Sequence, residues 1–594
     1  MIVKLTGQAQ ERLGKNELVI MTERVDDVAL LLAQMIQMGF VEILDRHIPK
    51  HWKQEGLSWG WTAVIWLAYI LSEGDHRKVA METYVAGMMA TLDRITGQSI
   101  RVLDFSDDRL SHLLRHLSKA KTWHAIETDL NEHSISVYDL STDVVRCDAT
   151  TVSAYHEVEE DGLVQFGHSK DDPSRPQIKV MMASLDPMGM PLASNVLSGE
   201  QADDGLYLPL IERLEQGLGK PGVLFVGDCK MSAFDIRRHL SGHQHLYLSP
   251  LPLSGGTAKE MPKWISQGIA KAKALELASI TKLNDKGEEV EIAQGYEFER
   301  QCEVQEDSGR RQWQERVLVI RSLAHAEHQL QGLDKRLSNA QLKLWALTPA
   351  RGRGKRQITE ESQLLEAIAQ VLKVHRVEGL LRVSYVKQTE YQSTYVGRGR
   401  SSAKREQRVI EKVRYQITEV SREDDQLADL EATLGWKAFV TNASATRLPL
   451  ANAVLCYRHE YRIERIFNRL KSRLQIAPLF VKRDDQIEGL TYLLTLGVRV
   501  LTVMEFTLRR SLQKENAKLP GLHLENRKKG TDQPTAERIL KAFSKVSLTI
   551  IKDQMGMEIG RWLTPLSSVQ QEIIQRLGLD TSLYAQLEIH NTGD

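Results

Sequence analysis

Cysteine is scarce in this sequence, and its few occurrences do not form a disulfide or metal-binding pattern. The four residues are Cys147, Cys229, Cys302 and Cys456, and no two of them are spaced as Cys-x-x-Cys. They are too sparse for a disulfide scaffold. We therefore expect a reduced, cytosolic chain without a structural zinc site.

Long uninterrupted apolar runs are also missing. The run at 61–71 is too short to span a bilayer, and the longer run at 490–508 is interrupted by Arg499 and Glu505. The first residues, MIVKLTGQAQERLGKNE, lack the apolar core of a signal peptide. We expect both runs to be buried helices, and the protein to be cytoplasmic with no membrane partner.

Neither sign of charge is in excess, since 78 Lys and Arg residues balance 78 Asp and Glu residues. Affinity for nucleic acid would therefore depend on local clustering. Residues 351–415 contain 15 basic and 7 acidic residues, a local net charge of +8. Their segments RGRGKR and VGRGRSSAKREQR are equally consistent with DNA-contacting loops and with ordinary surface loops.

The 594 residues are enough for several domains, and their pattern changes along the chain. Residues 22–138 follow helical periodicity. From Val144 onwards, short apolar runs end in acidic or turn residues, as in VVRCD, IKVMMASLD and VLFVGD. We predict a multidomain α/β protein. Its predicted segments are a helical domain at 1–138, an α/β core at 139–254, an α+β insertion at 255–430, the rest of the core at 431–480 and a helical domain at 481–594.

Two of these apolar runs end in an aspartate. Asp148 follows VVRC and Asp228 follows VLFVG, so each carboxylate is predicted where a buried strand leaves the sheet. Open α/β sheets bind their ligands at such edges. Neighbouring carboxylates are suitable ligands for hard cations such as Mg²⁺, and a third carboxylate would allow two ions to bind.

A helix predicted at about 452–475 supplies the third carboxylate, Glu464. At 100° per residue, its side chains separate into three faces. One face carries Tyr457, Glu464, Asn468 and Lys471, and an apolar face carries Ile463, Phe467, Leu470 and Leu474. A third face carries Arg458, Arg462, Arg465, Arg469 and Arg473. Such an arginine stripe is suited to DNA phosphates, although it is also compatible with a solvated helix face.

These motifs resemble those of insertion-sequence transposases with a DDE triad. Tyr457, Glu464 and Lys471 match the signature Tyr-x2-Arg-x3-Glu-x6-Lys, and the phrases RCDATTVS, FVGDCKMSA, WKAFVTN and YRIERIFNRLKSRL occur in the expected order. The separation of 236 residues between Asp228 and Glu464 leaves room for an insertion. One position departs from the signature, because Glu460 occupies the arginine position.

The resemblance implies an RNase H-like core interrupted by a strand-rich insertion. It also implies a DNA transposase in which Asp148, Asp228 and Glu464 are the catalytic and metal-binding residues, with two Mg²⁺ ions and Mn²⁺ as a substitute. Tyr457 and Lys471 would contact double-stranded DNA at the terminal inverted repeats, and a homodimer would pair two ends before they join target DNA. The arginine role is not transferred to Glu460.

Two other functions remain compatible with these residues. One is an RNase H-like structure-specific nuclease that cuts without joining, and the other is a catalytically silent DNA-binding protein descended from a transposase. A smaller motif, SGHQHLYL, places His243 and His245 on one face of a predicted strand. With no third ligand apparent, a structural role is favoured over metal binding for this pair.

Overall fold

The computed structural model describes residues 18–588, apart from 170–171, 285, 307–308, 353, 398–405, 524 and 527. The described residues form two compact units of mixed α/β architecture. One unit combines Met1–Ser249 with Cys456–Asp594, and the other is Pro250–Leu455. The predicted insertion at 255–430 falls within the second unit. The finer division of the first unit at 138, 254 and 480 stays a prediction.

The first unit begins with a strand and a group of helices. The elements are β1 (Val19–Arg24), α1 (Val28–Gln37), α2 (Phe40–His47), α3 (Trp59–Glu73), α4 (Met81–Ala86), α5 (Met89–Thr96), α6 (Asp107–Leu117) and α7 (Ala120–Val137). The periodic apolar residues of α1 and α6 are buried, as an amphipathic pattern predicts.

A mixed sheet then carries the two predicted aspartates. Its elements are β2 (Val144–Ser153), β3 (Gln177–Leu185), β4 (Met190–Ser198), α8 (Tyr207–Leu218), β5 (Leu224–Gly227), α9 (Phe234–Gly242) and β6 (Leu246–Pro250). The strands hydrogen-bond in the order β4-β3-β2-β5-β6. The pairs β2/β3 and β3/β4 are antiparallel, whereas β2/β5 and β5/β6 are parallel. Strand β3 is buried along its whole length, which places it in the core.

The first unit resumes at Cys456 and ends with helices and a hairpin. The elements are the end of α14 (Leu450–Arg458), α15 (Tyr461–Asn468), a π-helical segment (Arg469–Arg473), α16 (Asp484–Lys514), α17 (Ala536–Ala542), β13 (Ser547–Lys552), β14 (Glu558–Leu563) and α18 (Ser568–Arg576). Strand β13 pairs with both β1 and β14. The two ends of the chain are therefore not purely helical, which differs from the prediction. They share a small antiparallel sheet.

Helix α16 contains the long apolar run that the sequence analysis assigned to a buried helix. Its length and composition would allow it to cross a membrane, but 94% of its most apolar window is buried within the protein. It packs against α6 and β4. Gly489 permits the close approach to α6, because a Cβ atom there would lie 2.1 Å from the carbonyl oxygen of Leu114. Helix α16 is thus a core helix of the first unit.

The second unit contains the remaining strands and helices. They are α10 (Gly255–Lys273), β7 (Ala278–Leu283), β8 (Glu289–Glu306), β9 (Gly309–Ser322), α11 (Leu323–Leu347), α12 (Glu361–His375), β10 (Leu381–Tyr395), β11 (Gln407–Arg422), α13 (Asp424–Ala432) and β12 (Trp436–Thr441). Four of the strands follow the order β12-β9-β8-β7, and β10 pairs with β11 as a long hairpin. Leu333, Leu337, Leu364 and Ile417 belong to an apolar core between this hairpin and helices α11 and α12. The basic residues at 398–405 lie outside the described residues.

Candidate active site

Asp148 and Asp228 lie at the same level on neighbouring parallel strands. The register of β2 and β5 pairs Cys147 with Gly227. Asp148 and Asp228 are the residues that directly follow this pair in the sequence. Strand β5 ends there, whereas β2 continues to Ser153 and pairs only with β3. Asp148 therefore lies within its strand, which corrects the prediction that it ends one. Because neighbouring strands are about 4.8 Å apart, both carboxylates originate at one edge of the sheet.

A small cavity of about 10 Å³ lies between these strands and the chain around α14 and α15. It is lined by Arg146, Cys147, Asp148, Val226, Gly227, Asp228, Tyr457, Glu460 and Ile463. The lining includes two of the three predicted catalytic carboxylates. It also includes a carboxylate that the sequence analysis left without a role, that of Glu460.

The Asp228 carboxylate is held by two hydrogen bonds from its own unit. The Tyr207 hydroxyl, at the start of α8, donates to Oδ1 at 2.7 Å, and the backbone N–H of Lys230 donates to the same atom at 2.8 Å. Burial raises the pKa of Tyr207 well above its usual value, and the negative charges of Asp228 and Asp148 raise it further. Tyr207 consequently stays protonated and remains a donor.

Arg146 links the strand of Asp148 to the helical side of the cavity. It is 2% exposed, and its guanidinium group contacts Asp186 Oδ2 at 2.7 and 2.8 Å through Nη2 and Nε. The same group donates to the carbonyl oxygen of Cys456 at 2.5 Å. Arg462 of α15 contacts Asp186 Oδ2 at 3.2 Å. Asp186 therefore joins β2 and α15 through two arginines.

The single helix predicted at 452–475 is interrupted in the structure. Helix α14 ends at Arg458, a turn occupies His459 and Glu460, and α15 begins at Tyr461. The assignment of side chains to three faces of one continuous helix is therefore wrong across this turn. Beyond α15, the π-helical segment changes the rotation per residue once more.

The turn places Glu460 beside the two aspartates. Burial raises the pKa of Glu460, a hydrogen bond from Tyr457 opposes that rise, and the negative charges of Glu464 and Asp228 add to it. The pKa of Tyr457 is raised chiefly by burial and also by Glu460 and Asp228. Glu460 therefore interacts electrostatically with both Asp228 and Glu464.

Glu464 itself lies one helical turn after Glu460, on α15. Its side chain is exposed, and it does not belong to the lining of the cavity. The structure thus brings Asp148 and Asp228 together with Glu460, and it brings Glu464 next to Glu460. The role of Glu464 as the third catalytic carboxylate stays a prediction.

The predicted arginine stripe is used largely for contacts within the first unit. Arg469 is buried and pairs with Glu505 and Glu537, and Arg465 contacts Glu505 at 2.6 Å. Arg473 donates to the carbonyl oxygen of Leu71 at 2.6 Å. Arg465, Arg469 and Arg473 thus make contacts inside the first unit, to α16, α17 and α3. Contact of the stripe with DNA phosphates stays a prediction.

The other predicted DNA contacts occupy different environments. Asn468 is exposed and accepts a hydrogen bond from Ser472 at 2.9 Å, whereas Lys471 and Arg458 are half-buried. Tyr457 lines the cavity next to the carboxylates. Of this set, Tyr457 is the residue that the structure brings to the two aspartates.

Three residues of the site were missed from the sequence: Tyr207, Arg146 and Glu460. Tyr207 precedes the buried Leu210, Ile211 and Leu214 by helical spacings, so periodicity alone would place it on the inner face of α8. The alternation of side chains along a strand puts Arg146 on the same face as Asp148. The only feature of the sequence that pointed to Glu460 was its place at the arginine position of the transposase signature.

The donor set at this cavity is suited to a hard divalent cation. Asp148, Asp228 and Glu460 present carboxylate oxygens, the ligands that Mg²⁺ prefers. Cys147 is buried, and burial raises the pKa of its thiol, so a thiolate ligand is not available there at neutral pH. The chemistry of these residues therefore fits magnesium or manganese better than a thiolate-bound metal.

No family model and no curated protein matches the sequence. Among solved structures, the chain is similar to one in a cryo-EM structure of a piggyBac transposase synaptic complex with hairpin DNA. The TM-score is 0.32 with 8% sequence identity, over 94% of this chain and 83% of that chain.

Proposed function

We propose that this protein is a DNA transposase of the insertion-sequence DDE type. The observation that supports it best is that Asp148 and Asp228 lie at the same level of two adjacent parallel strands. Opposite them lie the turn that carries Glu460 and the helix that carries Glu464. Three chain segments far apart in sequence supply acidic groups to one edge of one sheet. A solvated surface or a simple structural core does not require this arrangement.

The order of the strands supports an RNase H-like core. Three antiparallel strands, β2 to β4, precede two strands, β5 and β6, that continue the sheet in parallel from β2. This is the core that the resemblance to DDE transposases implies. The second unit, Pro250–Leu455, occupies the interval between Asp228 and Glu464, where these transposases have their insertion.

The cation ligands in this proposal are Asp148, Asp228 and Glu464, and Glu460 lines the same cavity as the two aspartates. Two bound Mg²⁺ ions would activate the attacking oxygen and neutralise charge on the leaving oxygen of a phosphodiester. The chain's own residues prepare this site. Tyr207 orients the Asp228 carboxylate, Arg146 joins the strand of Asp148 to the helices, and Tyr457 donates to Glu460.

The substrates in this proposal are the inverted ends of the element that encodes the protein, together with target DNA. The resemblance at Tyr457 and Lys471 supports contacts to double-stranded DNA near the cleaved bond, and paired ends imply a homodimer. Hydrolysis at an end frees a 3′-hydroxyl, which then attacks target DNA. Both steps are in-line phosphoryl transfers that form one P–O bond and break another.

The test uses full-length protein and a duplex carrying the terminal inverted repeats. We expect cleavage and strand joining in Mg²⁺ or Mn²⁺, with both lost in Asp148→Asn and Asp228→Asn. Glu132→Gln, at an exposed residue of α7, is the matched control and should retain both. Unchanged cleavage in Asp148→Asn would contradict the site assignment.

The same assay separates the two alternatives. A precleaved end that is never joined, despite normal cleavage of intact ends, would favour a nuclease. Binding to the repeats without cleavage in either metal would favour a silent DNA-binding protein.

A further inference from the structure

Three potential metal ligands converge between α8 and α9, away from the residues that line the carboxylate cavity. Glu215 Oε2 lies 3.0 Å from His239 Nε2 and 2.8 Å from His243 Nδ1. One ligand atom from each of the three side chains lies within 4.8 Å of both others. Within the part of the chain that the structure describes, this is the group of three such side chains that meets that spacing.

The backbone arranges these side chains by simple helical geometry. His239 lies in the last turn of α9, and His243 follows the helix, donating its backbone N–H to the His239 carbonyl at 3.0 Å. Residues four apart lie on one face of a helix. Two histidines at this spacing are a common pair of zinc ligands. Glu215, from α8, faces this pair.

The turn after His243 corrects the predicted placement of the two histidines His243 and His245 on one strand. Gln244 adopts a left-handed backbone with φ of 62°, and β6 begins only at Leu246. His243 and His245 therefore do not alternate along a strand. His245 is buried, and its Nε2 lies 3.7 Å from Glu215 Oε1, on the other oxygen of the same carboxylate.

The distances suit a tetrahedral ion of the zinc class. Zinc–nitrogen and zinc–oxygen bonds of about 2.0–2.2 Å place neighbouring ligand atoms about 3.4 Å apart. The separations of 2.8 and 3.0 Å between Glu215 Oε2 and the two histidine nitrogens are about 0.5 Å shorter than that value, so a small outward movement of these side chains would admit the ion. Imidazole nitrogens favour zinc, copper or nickel over magnesium, which distinguishes this cluster from the all-oxygen cavity.

Further contacts suit a bound ion. His239 Nδ1, the ring nitrogen that faces away from Glu215, lies 3.9 Å from Glu212 Oε1. A carboxylate next to the outer nitrogen is the usual way to orient a metal-bound histidine. The His243 side chain is 53% exposed, so an ion has a path to the cluster from solvent.

We propose that Glu215, His239 and His243 form a zinc-binding site. Three protein ligands would leave the fourth position of a tetrahedral ion to a water molecule, which can enter beside the exposed His243. The ion would join α8 to α9. Because α9 follows Asp228 by only a short turn, the ion would stabilise the chain just after the proposed catalytic edge. This inference does not rest on the proposed function.

The test measures zinc binding by the full-length protein, so it is independent of activity. The protein is stripped with a chelator and titrated with Zn²⁺ against a coloured competing chelator. Excess Mg²⁺ is present to occupy oxygen-only sites. We expect one tightly bound zinc per chain, and a tetrahedral cobalt absorption spectrum when Co²⁺ replaces it.

The informative variant is His243→Ala, because this exposed side chain can be removed without disturbing the core. We expect its zinc affinity to fall by about a hundredfold or more, since loss of outer partners alone costs about 10–100-fold. His112→Ala, at an exposed histidine of α6, is the control and should bind as the wild type does. Zinc should also raise the Tm of the wild type but not that of His243→Ala.

Equal zinc affinity in the wild type and in His243→Ala would overturn the proposal. The cluster would then be a carboxylate hydrogen-bonded by two imidazoles. A variant that is stable yet loses the zinc-dependent rise in Tm supports the site.

Discussion

The substitution Asp186→Asn tests how the first unit holds its candidate active site together. Oδ2 of Asp186 receives Arg146 at 2.7 Å and Arg462 at 3.2 Å, and Asp186 is only 8% exposed. An asparagine oxygen can take the place of Oδ2 with little change in shape. The charge that compensates two guanidinium groups is nevertheless lost.

The loss of stability in Asp186→Asn can be estimated from the burial of its ion pairs. Removing one partner of a buried ion pair costs about 3–5 kcal/mol, and we expect the lower end, about 3 kcal/mol, because a neutral acceptor remains. The exposed pair of Asp235 and Arg238, 3.7 Å apart, provides a matched control. Asp235→Asn should cost at most about 1 kcal/mol, the usual limit for a surface pair.

Native-state hydrogen exchange measured by mass spectrometry gives a local readout of this cost. A loss of about 3 kcal/mol corresponds to roughly a hundredfold faster exchange in peptides from β2 and α15, against about fivefold or less for the control. DNA cleavage should fall in parallel, since α15 carries Glu464. Exchange in Asp186→Asn that matches Asp235→Asn would refute the inference that this carboxylate joins β2 to α15.

Three further predictions concern single residues. Glu460→Gln and Glu464→Gln should each reduce Mg²⁺-dependent cleavage. The loss should be about a hundredfold or more if the replaced carboxylate binds the cation. Full activity in either variant would show that its residue is not part of the site. Because the Tyr207 hydroxyl orients the Asp228 carboxylate, Tyr207→Phe should lower cleavage by about tenfold and weaken Mg²⁺ binding. The free energy of unfolding should change by only about 1 kcal/mol. An unchanged Mg²⁺ affinity would contradict this role. Burial and the neighbouring acidic residues raise the pKa of Glu488 to about 7 from 4.5, so wild-type stability should fall between about pH 4.5 and 7 as this group ionises. Glu488→Gln should lack that loss and be more stable at pH 8 by about 1–2 kcal/mol, a value reduced for solvent screening; parallel pH profiles of thermal unfolding would contradict it.

The sheet around Asp148 and Asp228 was largely predictable from sequence. The short apolar runs IKVMMASLD and VLFVGD, each ending in an aspartate, marked β3 and β5 close to their observed bounds. Local pattern suffices there because a strand that is buried on both faces appears in the sequence as a short continuous apolar run.

The helix with the third carboxylate was predictable only in part. Its apolar spacing was correct within α15, where Ile463 and Phe467 are buried. The turn at His459 and Glu460 contains no glycine or proline from which it could have been predicted. Because the turn was not predicted from the sequence, Glu460 was not expected beside Asp228, where the structure places it.

The arginine stripe shows a similar limit. A row of guanidinium groups along one helix is as typical of a DNA-facing surface as of an internal ion-pair network. Arg465 pairs with Glu505, 40 residues later in the sequence, and Arg462 pairs with Asp186, 276 residues earlier. Nothing local to the helix indicates either contact.

The amino-acid sequence by itself determined the class of the elements, the two strand-borne aspartates and the long insertion between Asp228 and Glu464, because hydrophobic periodicity and turn chemistry are properties of neighbouring residues. Only the tertiary structure decided which distant groups meet. It paired β1 with β13 across more than 500 residues, placed Glu460 at the carboxylate cavity and gathered Glu215 with His239 and His243. Such contacts depend on how the folded backbone returns to the same place, and a linear pattern of residue types does not record that path.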